Sequence, residues 1–558
     1  MSFHLREAMK HSSPQSFVAP VALVTLALLL VRFILAVAVT RPTIMMDERC
    51  YFTLARALAE GVPPYSREYG PLYPALLAPI AALRGSNSYF LARLASCVLS
   101  VSIVPLTFLL VRDHASPRAS LFVAAFVGLL PSHVLMAPLL MAENLFFPLI
   151  VLTAWSTLRV AQGRRAHGLL ICASAAMVLT KKLGWAVTAG ASAFLLLSLW
   201  NGRPARERWG FALPLLAAAA AAALWHRVGA VSELLCQGLT PTTVLPRTSA
   251  FHLTQDTFLA HLLPLTAHPV ALGLVAWGRW MLAHASYLAL VSAWLPVFLR
   301  PWRLERLQLG LLGLCIALTL MAFSSHHNLE GWQRDQYIRA RYVDGALPLL
   351  LAPCFVLLLE RRHKPGVAAL CVGLLLALVF RAEDAAHGQN RNLAWLSPFL
   401  RGFLLPPGTA AWAARAFVAG SCATVWGMLR SLQHRPRAVA AAITVFLLAA
   451  DGAGTVRLLS QQAWARDYSS IALWLKANGP PRPLIAVERE EDAYKDKELG
   501  LTWVMEQILF WTDASFVRAA REAPFLLSRR RHPFPVLSES RYGSRQTYYL
   551  YDRRPHVR

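Results

Sequence analysis

Asp47 and Glu48 stand side by side just past the first long apolar run, in Met46-Asp47-Glu48-Arg49-Cys50-Tyr51-Phe52-Thr53-Leu54-Ala55-Arg56. Adjacent carboxylates at a membrane surface are costly to desolvate, so they call for access to water or for a chemical task. An active-site acid is the chemical reading; a solvated loop charge is the plain alternative. The pair leads into a segment with Tyr51, Leu54, Ala55 and Leu58 on one helical face, then into Glu68-Tyr69-Gly70-Pro71-Leu72-Tyr73-Pro74. A second acid, Glu143, stands alone at the start of another apolar run, where function and helix N-terminal capping are the competing readings. The basic counterparts are Arg339 and Arg341, beside Tyr342 at the mouth of a further run. Their guanidinium groups suit bidentate phosphate binding, against the alternative of arginines that snorkel to fix a helix end. Lys181 and Lys182 could neutralise a leaving phosphate. Histidines 252, 261, 268, 326 and 327 lack zinc-ligand spacing, so no metal or other cofactor is assigned, a divalent metal being left open.

These residues need a scaffold, and composition says which kind. A chain of 558 residues that is 56% hydrophobic and 15% charged, with mean hydropathy +0.45, is a polytopic membrane protein. Apolar runs recur at Val18 to Val39, Tyr89 to Val111, Phe211 to Trp225, Leu309 to Phe323, Val367 to Phe380 and Val439 to Ala450. The first lacks a small-residue cleavage site and reads as a retained span. The net charge of +25 does not mark a nucleic-acid binder, because the arginines fall in every second connection between spans. That is the positive-inside pattern, and it predicts about thirteen spans with the N-terminus cytoplasmic and the C-terminus outside. Pro131 and Pro138 interrupt the stretch 118–158, and Lys181-Lys182 divides His167 to Trp200 into two short halves, with the lysines at the outer surface.

Four outward segments are long enough to build a site: 40–88, 227–269, 324–345 and 382–410. The membrane domain therefore extends over 1–451 with its working face extracytoplasmic, and 452–558 reads as a small α/β domain on that face. In this tail the pattern predicts helices at Asp467 to Lys476 and Glu498 to Thr512. It predicts strands at Pro483 to Glu488, Pro524 to Arg529, Pro535 to Ser540 and Gln546 to Asp552, with a turn at Arg541 to Ser544 before the last. Arg529-Arg530-Arg531 reads as a solvated basic turn, with binding of anionic headgroups as the alternative.

Taken in order, the motifs resemble those of GT-C membrane glycosyltransferases, in the group containing protein O-mannosyltransferases and the lipid A aminoarabinose transferase. The resemblance is carried by Asp47-Glu48 with Tyr51 and Ala55-Arg56, Tyr69-Gly70-Pro71-Leu72-Tyr73-Pro74, Glu143 with Leu145-Phe146, Leu179-Thr180-Lys181, and Arg341-Tyr342 followed by Pro348. It covers roughly the first 360 residues. The family implies a multi-pass enzyme of a cell membrane, for this chain a bacterial inner membrane. Its donor is a polyprenyl-phosphate sugar and its acceptor a lipid, glycan or protein. On this pattern Asp47 assists the acceptor nucleophile, Glu143 matches a second acidic position, and Arg341 matches one associated with the donor phosphate. Glu48, Tyr51, Tyr69, Lys181, Lys182, Arg339 and Tyr342 complete the expected substrate-binding set. Tyr69-Gly70 departs from the pattern, since many members have His or Pro there. The expected reaction is transfer of one sugar with inversion of the anomeric centre. The rival reading, a secondary transporter or lipid flippase, predicts an internal repeat and mid-span charges, and neither is evident in the sequence.

Overall fold

In the computed structural model the described residues are 17–42, 45–61, 69–83, 87–200, 209–239, 304–330, 344–359, 435–480 and, with gaps, 483–554, together with isolated positions in 277–284 and 423–431. The outer segments 227–269, 324–345 and 382–410 fall largely or wholly outside this set.

The first apolar run forms α1 (Val18–Ala38). Leu23, Leu26, Leu30, Ile34 and Val37 on it are 60–69% exposed, the outward stripe of a helix whose neighbour on that side is lipid. Its inward face is fixed by Arg32, fully buried, which donates to the carbonyls of Leu28 (3.1 Å) and Gly128 (2.8 Å). Then come α2 (Met45–Ala59) and α3 (Leu72–Ala81). The run beginning at Tyr89 forms α4 (Ser88–Val101) and α5 (Ile103–Arg112) rather than one regular helix. Pro105 supplies the reason, since it cannot donate to Val101 and so opens the ladder one turn earlier, at Ser102.

The stretch interrupted by prolines resolves into α6 (Pro117–Gly128), the single turn α7 (Pro131–Val134), and α8 (Glu143–Ala161). Residues 135–142 between them are irregular yet buried, and Asn144 satisfies them by donating to the carbonyls of Leu139 (2.7 Å) and Met136 (3.2 Å). The lysine pair does divide the next stretch, into α9 (His167–Thr180) and α10 (Gly184–Trp200). There follow α11 (Ala212–Leu239), α12 (Leu304–Glu330) and α13 (Leu347–Leu359). Among the described residues four helical stretches are long and apolar enough to cross a membrane, at Val18–Ala38, Ser88–Arg112, Glu143–Ala161 and Arg437–Ser460.

The tail departs from the sequence reading at its start. Instead of a helix beginning at Asp467, one uninterrupted helix, α14 (Pro436–Asn478), spans 43 residues and carries the chain from the last apolar run into the C-terminal sheet. Nothing between Ala450 and Asp467 breaks a helix: Gly452 and Gly454 weaken it, and tertiary contacts outweigh that cost. One such contact is Gln462, whose Oε1 accepts from the amides of Thr40 and Arg41 (both 2.9 Å) while its Nε2 donates to the Arg41 carbonyl (2.7 Å). Gln462 thereby ties α14 to the end of α1.

The strands are β1 (Leu484–Val487), β2 (Ser515–Arg518), β3 (Phe525–Ser528), β4 (Val536–Tyr542) and β5 (Gln546–Asp552), in the order β2-β1-β3-β5-β4. β1 runs parallel to β2 and β3, and β5 antiparallel to β3 and β4. β2 has no counterpart among the predicted strands, and β4 extends through Arg541-Tyr542, which the sequence placed in a turn. One face of the sheet, with Ile485, Phe525, Leu527 and Leu550, buries Tyr468, Ile471 and Leu475 of α14.

Candidate active site

Four segments distant in sequence converge beside α2, and their side chains and backbones form one connected network. Asp47 and Glu48 occupy the first turn of α2, where the helix dipole favours negative charge. They diverge as successive helical residues must. Asp47 is half-buried, and its Oδ1 accepts from the Tyr69 hydroxyl at 2.8 Å. Burial, and then the Asp47 charge, hold the Tyr69 phenol well above its ordinary ionisation range, so it remains a donor. Glu48 turns inward and is fully buried, its Oε2 accepting from the Tyr89 hydroxyl (3.0 Å) and the Leu140 amide (3.1 Å).

Tyr69 is placed by a backbone contact. It forms an isolated antiparallel bridge with Lys181, in the break between α9 and α10. The bridge requires glycine at position 70: an added Cβ would lie 2.2 Å from the Leu179 carbonyl oxygen and 2.5 Å from Thr180 backbone atoms. At the break, Lys181 donates to Oε1 of Glu143 at 2.5 Å. Glu143 is 1% exposed at the first position of α8, and the Lys181 side chain is 15% exposed. A carboxylate so enclosed requires its ammonium partner, because breaking such a pair strands a buried charge.

The resulting chain of contacts is Asp47 to Tyr69 by a hydrogen bond, Tyr69 to Lys181 through the backbone, and Lys181 to Glu143 by an ion pair. Tyr51 packs its ring edge-on against Tyr69 (4.9 Å) and Tyr73 (5.2 Å), making the apolar floor. Lys182 lies half-buried in the turn after Lys181. Arg339, Arg341 and Tyr342 lie outside the described residues. Among the described residues no group of three or more His, Cys, Asp or Glu gathers as metal ligands would.

Sequence reasoning named Asp47, Glu48, Tyr51, Tyr69, Glu143, Lys181 and Lys182, and the structure brings all seven into this neighbourhood. It missed Tyr89 and the Leu140 amide as partners of Glu48. No local pattern marks them, since both are brought in by the packing of α4 and of the irregular 135–142 segment.

The same architecture occurs in solved structures. ArnT from Cupriavidus metallidurans in the apo state superposes with TM-score 0.55 at 14% identity, covering 97% of this chain and 98% of that one. The same protein bound to undecaprenyl phosphate gives 0.53 at 15% identity, over 96% and 98%. No curated protein sequence matches the chain at a significant level. Residues 68–226, the stretch that carries Tyr69, Glu143 and Lys181, match the family described as dolichyl-phosphate-mannose-protein mannosyltransferase. The chain thus shares the fold of ArnT, and one stretch of it is similar to the mannosyltransferase family. The residues of the network fall partly inside the matched stretch and partly before it, at Asp47 to Tyr51.

Proposed function

We propose that this protein is a GT-C membrane glycosyltransferase that moves one sugar from a polyprenyl-phosphate donor to a hydroxyl or amine acceptor at the outer face of a bacterial inner membrane. The observation that carries this reading is the Asp47–Tyr69 hydrogen bond, joined through the Tyr69–Lys181 backbone bridge to the Lys181–Glu143 ion pair. A half-buried carboxylate oriented by a phenol can take a proton from an acceptor, and a nearby cation can stabilise charge developing on a departing phosphate. Undecaprenyl phosphate in the C. metallidurans ArnT structure supports a polyprenyl-phosphate donor.

In this mechanism Asp47 orients the acceptor and receives its proton as the nucleophile attacks the anomeric carbon. The bond to the lipid phosphate breaks on the opposite side, so the centre inverts. Tyr69 fixes the Asp47 carboxylate by its Oδ1. Glu143, enclosed against Lys181, acts by holding that ammonium in place, and Glu48 acts by anchoring the start of α2 to Leu140 and Tyr89. Lys182, Arg339 and Arg341 are assigned to the donor phosphate on their charge and place in the sequence. The N-terminus is cytoplasmic, and the sheet 484–552 lies outside with the site. Incubating the full chain in lipid nanodiscs with a panel of radiolabelled polyprenyl-phosphate sugars tests the reading. One donor should be consumed by the wild type and spared by Asp47→Asn, and consumption of none would overturn it.

A further inference from the structure

Trp511 belongs to two cores at once. On one side it packs against the outer-domain cluster of Tyr468, Ile471, Leu475 and Ile508; on the other it packs against the cluster beneath the site, which contains Tyr51, Phe52 and Tyr89. Its ring meets Tyr89 edge-on at 5.8 Å. Its indole Nε1 donates to Oε1 of Gln507 (3.0 Å), itself fully buried one helical turn earlier, and the Lys476 ammonium lies over its face at 4.4 Å. Three contacts from the outer domain thus fix one ring in rotation and tilt. Partial burial, and then repulsion from Arg56 of α2, lower the Lys476 ionisation.

Tyr89 is the next link. Its ring is held between Trp511 and Arg93, whose guanidinium stacks on it at 4.7 Å, and its hydroxyl donates to Glu48. Glu48 is the residue after Asp47 on the same helical turn. Its carboxylate, bound to Tyr89 and the Leu140 amide, anchors the turn that also carries Asp47.

We propose that the outer domain is part of the catalytic apparatus: Trp511 seats Tyr89, and Tyr89 locks Glu48 so that Asp47 faces the acceptor. Trp511 and Tyr89 are positioning residues, and the inference rests on the reading of Asp47 as the base. An aromatic and hydrogen-bonded relay suits this purpose because displacement of a reacting group by about 1 Å costs on the order of 10²-fold in rate, far more than the contacts contribute to folding.

The test compares Tyr89→Phe, Trp511→Ala, Trp511→Phe, the Tyr89→Phe/Trp511→Ala double variant and Asp47→Asn, all as full chain in nanodiscs. Removing the Tyr89 hydroxyl should lower kcat roughly 10- to 100-fold with donor KM close to wild type. Trp511→Ala should do the same and Trp511→Phe should recover most of the loss. The double variant should be no worse than the poorer single one, because both act on one carboxylate. A purely structural role would reduce the yield of folded protein and leave kcat per folded molecule unchanged. Wild-type kcat in Tyr89→Phe and Trp511→Ala beside an inactive Asp47→Asn would overturn the positioning relay alone, as would losses that multiply in the double variant. An active Asp47→Asn would overturn the acid reading beneath it and the relay with it.

Discussion

Gly70→Ala is the smallest change that separates the two halves of the site. An alanine Cβ would sit 2.2 Å from the Leu179 carbonyl oxygen, where ordinary contact begins at 3.4 Å, and the obstructing atoms are backbone. They cannot rotate away, so the segment carrying Tyr69 must withdraw from Lys181 by roughly 1 Å, and the bridge between them lengthens or breaks. Overpacking of this kind costs about 1–3 kcal/mol of stability. The larger effect falls on the reaction: Tyr69 carries Asp47 by a hydrogen bond, and a displacement of that size costs about 10²-fold in turnover. The assay is sugar transfer by the reconstituted variant, paired with its melting temperature. Gly168→Ala on α9, where nothing lies within 4 Å of the added carbon, serves as the control and should match wild type. Turnover by Gly70→Ala within threefold of wild type, at unchanged melting, would refute the claim that this close approach sets the geometry.

Asp47→Asn should reduce transfer by roughly 10² to 10⁴ with melting near wild type, whereas Glu48→Gln retains an acceptor oxygen for Tyr89 and Leu140 and should lose less; the reverse ranking in kcat would exchange their roles. Glu488 is pushed up by burial but held below the ordinary carboxylate range by hydrogen bonds from Ser528 and His532 (2.8 Å for the latter) and by the charges of His532 and Arg530. A depressed folded value means its stabilisation is present above the unfolded value and lost as pH falls through the folded one, so the melting temperature of the wild type should drop faster than that of Glu488→Gln below about pH 4.5, and parallel curves would disprove this. Ala477→Cys, exposed near the end of α14, should react with an impermeant maleimide in intact cells, and Asp113→Cys only after lysis; the opposite pattern would invert the topology.

What the sequence made legible was chemistry at element boundaries. Asp47-Glu48 and Lys181-Lys182 stood out because charge beside long apolar runs is costly, and both proved to begin or break helices. The pairing of Glu143 with Lys181 was not legible, although both were named, because it depends on α8 and α9 meeting at their ends. Strands β1, β3 and β5 showed through apolar runs bounded by proline or turn residues. β2, only Ser515–Arg518, has no such punctuation and is a strand because β1 pairs with it. The length of α14 was hidden by a change in composition near Asp451: a helix leaving an apolar layer for water changes its residues without changing its backbone. Trp511 carries no signal in the sequence, because its place in two cores depends on packing against Tyr89 of α4, distant in the chain.

The unbroken course of α14 joins the C-terminal sheet rigidly to the last apolar run. At about 1.5 Å per residue the helix is roughly 65 Å long, and Gln462, bound to the backbone at Thr40 and Arg41, divides it just past the apolar stretch Arg437–Ser460. Gln462 is a fulcrum, with about 24 Å of helix above it ending at Asn478. Helices match bilayers of different thickness by tilting. A tilt of about 10° below the fulcrum swings the upper end by about 4 Å, more than enough to alter how Trp511 meets Tyr89. On the proposed role of Trp511 and Tyr89, the expected outcome is a turnover that depends on acyl-chain length in reconstituted bilayers, and a turnover indifferent to chain length would disprove the coupling.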